Sequence, residues 1–353
     1  MAPTPPHLVT VLEQFHVAPT PAPAAGQPRA LPLTFFDLVF WSIPPVQRLF
    51  FYDNANLLDV SDFTLGELPR FRNSLAAALH HFYPLAGKLT CEVAEGVAPP
   101  ELVFSDGDSV PLTVAQGILA VQITVFPRAG ICIGTTVHHA VADGASYTHF
   151  LSTWAAAHRL GHKGNRAVAM DMPPLFDRGV VRDDAGLREA FLRDHRALGT
   201  AGGYEPLDDW DLSRRPGVVL ATFRFTEKQL RALERHAESE TSTRCSPNAL
   251  ACGAAWAGIV HARGNGWGLE GAPAPDAHFG FVTGPKLGMY AGTDFGGVWG
   301  RPTKVEIAYV ERTGALALAE SCRDGHGDIE VGLALPRVEM EAFRTFYLDG
   351  STC

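Results

Sequence analysis

The sequence predicts a mixed α/β (α+β) fold divided into two domains. At 353 residues, the chain has about the length of two typical domains. Predicted strands and helices alternate along it, but without the short regular βαβ repeats of a parallel dinucleotide-binding sheet. Hydrophobic residues make up 46% of the chain and charged residues 19%, which is a globular composition. These three observations favour mixed sheets packed with helices.

Charge and hydropathy exclude two classes of function. Lys and Arg total 29 against 38 Asp and Glu, so the net charge of −9 argues against a chain-wide nucleic-acid surface. No window of about 20 residues is continuously apolar, and the N-terminus lacks a secretory pattern. We therefore expect a cytoplasmic monomer without nucleic-acid or membrane partners. The six cysteines show no CxxC spacing, which favours buried or free thiols over disulfides.

Hydrophobic spacing assigns the elements of the first half. Seven prolines by Pro28 predict an extended lead-in over residues 1–30. Apolar residues three or four apart predict a helix over 66–82. Two β-branched runs, 118–126 and 131–137, flank a turn and predict a hairpin. A second apolar spacing predicts a helix over 146–160.

The second half follows a polar, irregular stretch over residues 161–216, in which only 185–197 has a helical pattern. This stretch reads as a connection between domains, so we expect an N-terminal domain over 1–165, a crossover over 166–216 and a C-terminal domain over 217–353. Strands are predicted at 218–225, 304–310 and 329–335, and a closing helix at 338–347. Thr226 with Gln229 forms a capping box, and Ser246-Pro247 opens an Ala-rich helix that we expect to be buried.

The segment His138-His139-Ala-Val-Ala-Asp143-Gly144 carries the clearest chemical signal. It follows the second hairpin strand and precedes a helix, so a rigid element can aim a side chain at a cleft. A neutral imidazole accepts a proton near pH 7, and Asp143 is close enough to fix the local geometry. Gly144 permits a backbone conformation that other residues resist. A satisfied core histidine is the alternative.

Two other chemistries are less well supported. No GxSxG segment marks a serine nucleophile, which favours direct attack by a substrate over an acyl-enzyme. A metal site would have to use His138, His139, Asp143 and His149, but neighbouring residues on a strand point to opposite faces. We therefore expect no metal.

The motifs resemble those of the plant BAHD acyltransferases, which transfer an acyl group from coenzyme A to an alcohol or amine. His139-Ala-Val-Ala-Asp143-Gly144 is similar to their HxxxDG motif, which chloramphenicol acetyltransferases and peptide-synthetase condensation domains share. Asp294-Phe-Gly-Gly-Val-Trp-Gly300-Arg-Pro is similar to their DFGWG motif. The Leu33-Thr-Phe-Phe-Asp37 and Val46-Gln-Arg-Leu-Phe-Phe-Tyr52 blocks resemble most the clade that acylates flavonoid, anthocyanin and phenolic glucosides.

The resemblance implies two chloramphenicol-acetyltransferase-like domains with a channel between them. In such a site His139 would deprotonate the acceptor hydroxyl, and Asp143 would be structural, paired with an Arg of the second domain. The Trp299 N–H would stabilise an oxyanion or shape the channel; the alternative is a Gly-rich turn that only packs Trp299. Structural motif positions would be Gly144, Asp294, Phe295, Gly296 and Gly300.

The same resemblance implies the substrates. Acyl-CoA, with malonyl-CoA or an aromatic acyl-CoA as donor, would be a co-substrate, and no cofactor would be bound permanently. The acceptor would be a phenolic or flavonoid glycoside. A malonyl carboxylate calls for an Arg, because the guanidinium fork matches carboxylate geometry. Arg178 and Arg182 are the candidates, although each could equally be a solvated loop charge.

The chain also departs from the family pattern. Gly297 and Val298 are inserted before Trp299, and Phe279-Gly-Phe-Val282 is followed almost at once by Pro285. The Arg-bearing strand that normally intervenes has no counterpart near 283–285. Two alternatives therefore stay open: a shortened, non-catalytic relative, and a condensation-domain-like acyltransferase.

Overall fold

The chain forms two compact units. The first comprises Met1–Tyr204 and Phe295–Gly300, and the second comprises Glu205–Asp294 and Arg301–Cys353. The structure is a computed structural model, and it describes residues 10–41, 45–54, 56, 59–90, 100–112, 118–161, 172–200, 217–263, 281–283, 288–308, 316–321 and 327–348.

Strands and helices alternate in the first unit. Its strands are β1 Phe15–Val17, β2 Ala30–Pro32, β3 Val46–Asp53, β4 Lys88–Thr90, β5 Glu101–Val103, β6 Val110–Leu112, β7 Leu119–Phe126 and β8 Gly130–Val137. Its α-helices are α1 Phe35–Leu38, α2 Val60–Asp62, α3 Leu68–His81, α4 Gly144–Gly161 and α5 Leu187–Thr200. A π-helical turn, Phe63–Glu67, leads into α3, and 3₁₀ turns cover Tyr83–Ala86 and Arg178–Val180.

One sheet of the first unit positions the candidate site. Its strands lie in the order β1, β6, β7, β8, β3, and a smaller sheet has the order β2, β5, β4. The predicted hairpin is confirmed: β7 and β8 pair antiparallel from Leu119 opposite Val137 to Phe126 opposite Gly130. The other edge of β8 pairs antiparallel with β3. Because β8 is held on both edges, the chain that follows it starts from a rigid point.

Helices α3 and α4 pack through large buried side chains. Trp154 and Leu75 are fully buried, and the Trp154 indole N–H donates to the Ser74 hydroxyl at 3.1 Å. Burying a large aromatic residue with its polar atom paired is strongly favourable. The apolar spacing that predicted both helices therefore corresponds to their buried faces.

The second unit is a sheet covered by helices. Strands β9 Val218–Phe225, β10 Phe281–Thr283, β12 Leu316–Glu320 and β13 Ile329–Pro336 lie in the order β10, β12, β13, β9, and the unit also contains β11 Lys304–Ile307. Its helices are α6 Glu227–Thr241, α7 Pro247–Ala262, α8 Met289–Gly292 and α9 Arg337–Leu348. Its core joins sheet residues such as Val331 and Leu333 to Ile259 of α7 and Phe343 of α9.

Most predicted elements are confirmed, including the capping box of α6 and the Ser246 N-cap of α7. The expectation that α7 is buried all round is wrong. Only a stripe containing Ala251, Ala255 and Ile259 is buried, whereas Gly253 and Ala257 are exposed. Strands β7, β8, β9, β11 and β13 were predicted, whereas the other strands, among them β3 and β12, were not. The three described cysteines, Cys132, Cys245 and Cys252, are free thiols as expected.

Within the described part of the chain, no helix is both long enough and apolar enough to cross a bilayer.

Candidate active site

The candidate base lies in the loop that connects β8 to α4. β8 ends at Val137 and α4 begins at Gly144, so His138, His139 and Asp143 occupy the six-residue junction between them. The junction is tied back to the sheet, because the His138 backbone N–H donates to the Ile118 carbonyl at 2.8 Å. A second backbone bond, from Val141 N to His138 O at 3.0 Å, closes a turn within it. The site residues thus sit on a short, internally bonded loop.

His139 is held by an aromatic ring that the sequence analysis did not single out. Phe40 stacks on the imidazole with ring centroids 3.9 Å apart and an interplanar angle of 20°. The Nδ1 atom of His139 is buried and has no hydrogen-bond partner among the described residues, and the residue as a whole is half-buried. Because Nδ1 is shielded, Nε2 is the candidate nitrogen for contact with a substrate hydroxyl.

His138 has a different environment. Its Nδ1 accepts the backbone N–H of Ala140 at 3.2 Å, so that lone pair is already used. Burial lowers the pKa of His138 below its ordinary value, and the neighbouring His139 lowers this pKa further. The lowered pKa favours the neutral form of His138, and its Nδ1 is occupied, which leaves His139 as the candidate base.

Asp143 begins α4. Its Oδ1 accepts the Ser146 backbone N–H at 2.8 Å, and its backbone carbonyl accepts from Tyr147. An aspartate in this position satisfies free N–H groups of the first helical turn and interacts favourably with the helix dipole. Asp143 is exposed, and within the described part of the chain it takes part in no ion pair, so the expected Arg partner is not found there.

Two expectations about backbone geometry at the junction are corrected. Gly144 was expected to adopt a conformation that other residues resist, but it is the first residue of α4 and has no positive φ. His138 and His139 were treated as strand residues in weighing a metal site, but both follow the end of β8. The described residues contain no group of three or more His, Cys, Asp or Glu side chains able to hold a metal ion.

The second motif closes on itself as a compact loop. The Phe295 backbone N–H donates to Gly300 O at 2.9 Å, and Trp299 N donates to Gly296 O at 3.1 Å. Gly296 has φ +64°, and a Cβ there would lie 2.7 Å from Cγ of Arg159. The inserted Gly297 and Val298 form the exposed tip of the loop. The insertion is thus accommodated at the tip, while Phe295 and Trp299 on either side of it are buried.

Trp299 packs into the aromatic core beside α3. Its indole N–H donates to Oε2 of Glu67 at 2.9 Å, and its ring lies against Phe63 and Phe71. Trp299 is 4% exposed. Because its one N–H already has a carboxylate acceptor, it is not available to an oxyanion in this arrangement. The geometry favours the packing alternative for Trp299 over the oxyanion role that the resemblance implied.

Glu67 anchors this loop from the end of the π-helical turn. Its Oε1 accepts from Arg70 at 2.8 Å, and its Oε2, besides binding Trp299, lies 4.0 Å from Nε2 of the buried His158. His158 in turn places Nδ1 3.1 Å from the Phe295 carbonyl. Glu67 of the π-helical turn and His158 of α4 therefore hold the two ends of the loop. No local sequence signal indicates Glu67, which lies 232 residues from Trp299 along the chain.

We expect the Glu67–Trp299 bond to stabilise the folded chain. Glu67→Ala leaves the buried indole N–H without its acceptor and should lower the free energy of unfolding by about 1–3 kcal/mol. Glu67→Gln keeps an acceptor oxygen and should lose less. Urea unfolding measures both, and a double-mutant cycle with Trp299→Phe isolates the pair. Independent, additive effects of the two substitutions would show that the bond contributes nothing.

The two arginines proposed for a donor carboxylate differ in setting. Arg178 is partly buried; its Nη1 lies 3.4 Å from Oδ2 of Asp37, and its Nε is buried without a hydrogen-bond partner among the described residues. Asp37 belongs to α1 and lies three residues before Phe40, which stacks on the His139 ring. Arg178 is therefore fixed to the segment that supports the candidate base, whereas Arg182 lies exposed on the surface.

Comparisons with known proteins agree with the two motifs. The model of a family described as the Transferase family matches residues 101–263, which include the His139 junction. Phenolic glucoside malonyltransferase 1 of Arabidopsis thaliana is 26% identical over 439 residues, covering 88% of this chain and 91% of the relative. In sequence, this chain is similar to the BAHD acyltransferases.

Two further comparisons extend the relationship. A malonyl-coenzyme A:anthocyanin 3-O-glucoside-6''-O-malonyltransferase of Dahlia pinnata is 25% identical over 463 residues, covering 97% of both proteins. The crystal structure of vinorine synthase shares the fold with a TM-score of 0.63 and 18% identity, over 96% of this chain and 97% of that one. Both aligned regions of the malonyltransferases exceed this chain's 353 residues, so the BAHD relatives carry internal segments that it lacks.

Proposed function

We propose that this chain transfers an acyl group, malonyl in the first instance, from acyl-CoA to a hydroxyl of a phenolic or flavonoid glycoside. The coarser assignment, an acyltransferase of BAHD ancestry, rests on the family model and the malonyltransferase relatives. The observation that supports His139 as its base is the imidazole at the β8–α4 junction, stacked on Phe40 with Nδ1 buried.

The mechanism follows from that ring. Nε2 of His139 accepts the proton of the acceptor hydroxyl while the hydroxyl oxygen attacks the thioester carbonyl carbon. The tetrahedral intermediate collapses with cleavage of the C–S bond, and the imidazolium returns its proton to the departing coenzyme A thiolate. Protons balance without an acyl-enzyme. Asp143 supports the step indirectly, because it caps α4 and so fixes one end of the loop.

The proton on the resting ring must then lie on Nδ1. This places an N–H in a buried position that has no acceptor among the described residues. Such an unpaired buried donor is costly. The stacked Phe40 ring restricts the orientation of the imidazole but does not accept this hydrogen bond.

Arg178 is the residue that we assign to the donor carboxylate. Its guanidinium is oriented by Asp37, and the buried Nε is a donor without a partner among the described residues. A malonyl carboxylate would accept a hydrogen bond from this N–H, whereas an acetyl group has no carboxylate to do so. Arg182 remains the second candidate for this role.

A selectivity measurement tests the assignment. Arg178→Lys keeps the charge opposite Asp37 but removes the fork, and it should raise KM for malonyl-CoA by about tenfold while leaving KM for acetyl-CoA unchanged. Arg193→Lys, on an exposed pair with Asp194, is the matched control. An equal change for both donors would argue against a carboxylate contact, and a selective effect of Arg182→Lys would move the role to Arg182.

The function itself is tested by turnover. Purified protein with a cooperative melt is mixed with malonyl-CoA, acetyl-CoA or coumaroyl-CoA and a panel of phenolic glucosides, and products are identified by mass spectrometry. We expect an acylated glucoside. Folded protein whose melting temperature rises with coenzyme A but which yields no product would favour the non-catalytic relative instead.

A further inference from the structure

A buried polar cluster joins the two elements that flank the His139 junction and belongs to neither motif. The hydroxyls of Thr135 and Tyr147 are hydrogen-bonded to each other, and the two residues are 3% and 2% exposed. The guanidinium carbon of Arg48, a buried residue of β3, lies 5.2 Å from the centre of the Tyr147 ring. Nothing in the sequence pattern around these three residues indicates a functional role.

The position of this cluster relates it to the candidate base. Thr135 lies on β8 four residues before His139, and Tyr147 lies in the first turns of α4, four residues after Asp143. The hydroxyl pair therefore joins the last part of the strand to the start of the helix. It closes a thirteen-residue segment, 135–147, at whose tip His139 and Asp143 are displayed.

We propose that Thr135 and Tyr147 are positioning residues for His139. Their hydrogen bond fixes the distance between the end of β8 and the start of α4. This restricts the conformations that the loop between them, which carries His139, can adopt. The Tyr147 backbone N–H donates to the Asp143 carbonyl at 2.9 Å, which transmits the position of the Tyr147 ring directly to the loop. Arg48 holds the ring by a cation–π contact from the neighbouring strand.

The chemistry of the pair suits a permanent link. Burial raises the pKa of Tyr147 to about 12, so its hydroxyl stays protonated over the whole range in which an acyltransferase is assayed. A neutral hydroxyl can act as donor or acceptor to Thr135, and the bond does not depend on pH. A buried hydroxyl that loses its partner is costly, whereas replacing both hydroxyls with apolar groups of the same shape is nearly neutral.

This difference between single and double substitution separates positioning from stability. Thr135→Val leaves the Tyr147 hydroxyl unpaired and should destabilise the fold. Tyr147→Phe leaves the Thr135 hydroxyl unpaired, but it keeps an aromatic ring in contact with Arg48. The double variant should recover most of the lost stability in urea unfolding. If the bond positions the loop, the double variant should still show faster exchange of the amides of 138–143 and a lower kcat.

The experiment measures three quantities in both single variants and the double variant: urea stability, amide hydrogen exchange over 138–143, and kcat and KM for acyl-CoA. The kinetic part rests on the proposed function, and the exchange part does not. In the double variant we expect amide exchange about tenfold faster and kcat about tenfold lower, with KM for acyl-CoA unchanged. Thr153→Val, which removes a buried hydroxyl of α4 bonded to His149 O, is the control and should leave the exchange of 138–143 unchanged.

Each outcome decides the proposal. A double variant with wild-type exchange over 138–143, or with wild-type kcat, overturns it, because the pair would then be a packing feature only. If the wild-type chain turns over no acyl-CoA, the proposed function fails, but exchange alone still decides whether Thr135 and Tyr147 order the loop.

Discussion

Replacing His139 with alanine is expected to lower kcat for acyl transfer by about 10²- to 10⁴-fold, the usual contribution of a positioned general base. The reason is that Nε2 of His139 is the atom proposed to take the proton of the acceptor hydroxyl, whereas Nδ1 of His138 already accepts the Ala140 N–H. The measurement is steady-state release of coenzyme A thiol in the presence of a glucoside acceptor.

A substitution at the neighbouring residue provides the control. His138→Asn places an amide oxygen where Nδ1 now accepts the Ala140 N–H, so the loop should be retained and the loss of kcat should be far smaller. Both variants should melt cooperatively and respond to coenzyme A as the wild type does. Equal losses in the two variants would contradict the assignment of the base to His139 alone.

The largest expected effect on stability comes from Gly130→Ala, at the start of β8. Gly130 has φ +145°, and a Cβ there would lie 1.9 Å from the Tyr52 carbonyl oxygen. That oxygen belongs to the backbone of β3, so neither side can yield without breaking the pairing of β3 with β8. We expect the free energy of unfolding to fall by at least about 3 kcal/mol, measured by urea unfolding.

Gly107→Ala separates the two causes of that loss. Gly107 also has a positive φ, +94°, but a Cβ there meets no atom within 4 Å. It should lose only the cost of backbone strain, about 1–2 kcal/mol. Should Gly107→Ala and Gly130→Ala destabilise the chain equally, the close approach of β3 to β8 would not be the determining factor.

The elements that the sequence predicted are those whose signal is local. The β7–β8 hairpin was predictable because β-branched runs flank a turn, and α6 because Thr226 and Gln229 form a capping box. Strand β3 escaped prediction because buried Arg48 interrupts its apolar alternation. Strand β12, Leu316–Glu320, consists of helix-favouring residues and is a strand because it pairs with β10 and β13.

The candidate site divides in the same way. The His139 junction was predictable, since its residues are contiguous and follow a recognisable strand. The contacts around the two motifs were not, because Phe40 stacks on His139 and Glu67 accepts from Trp299 across large separations in sequence. The role expected for the Trp299 N–H depended on where the ring points, which only tertiary packing decides.

Direct transfer through His139 is tested most sharply by a single-turnover measurement of thiol release. Stoichiometric protein is mixed with malonyl-CoA alone, and a phenolic glucoside is added afterwards. We predict no burst of free thiol in the first phase and rapid release, with an acylated glucoside as product, only in the second. A stoichiometric thiol burst before the acceptor is added, or no release after it from folded protein, would contradict the account.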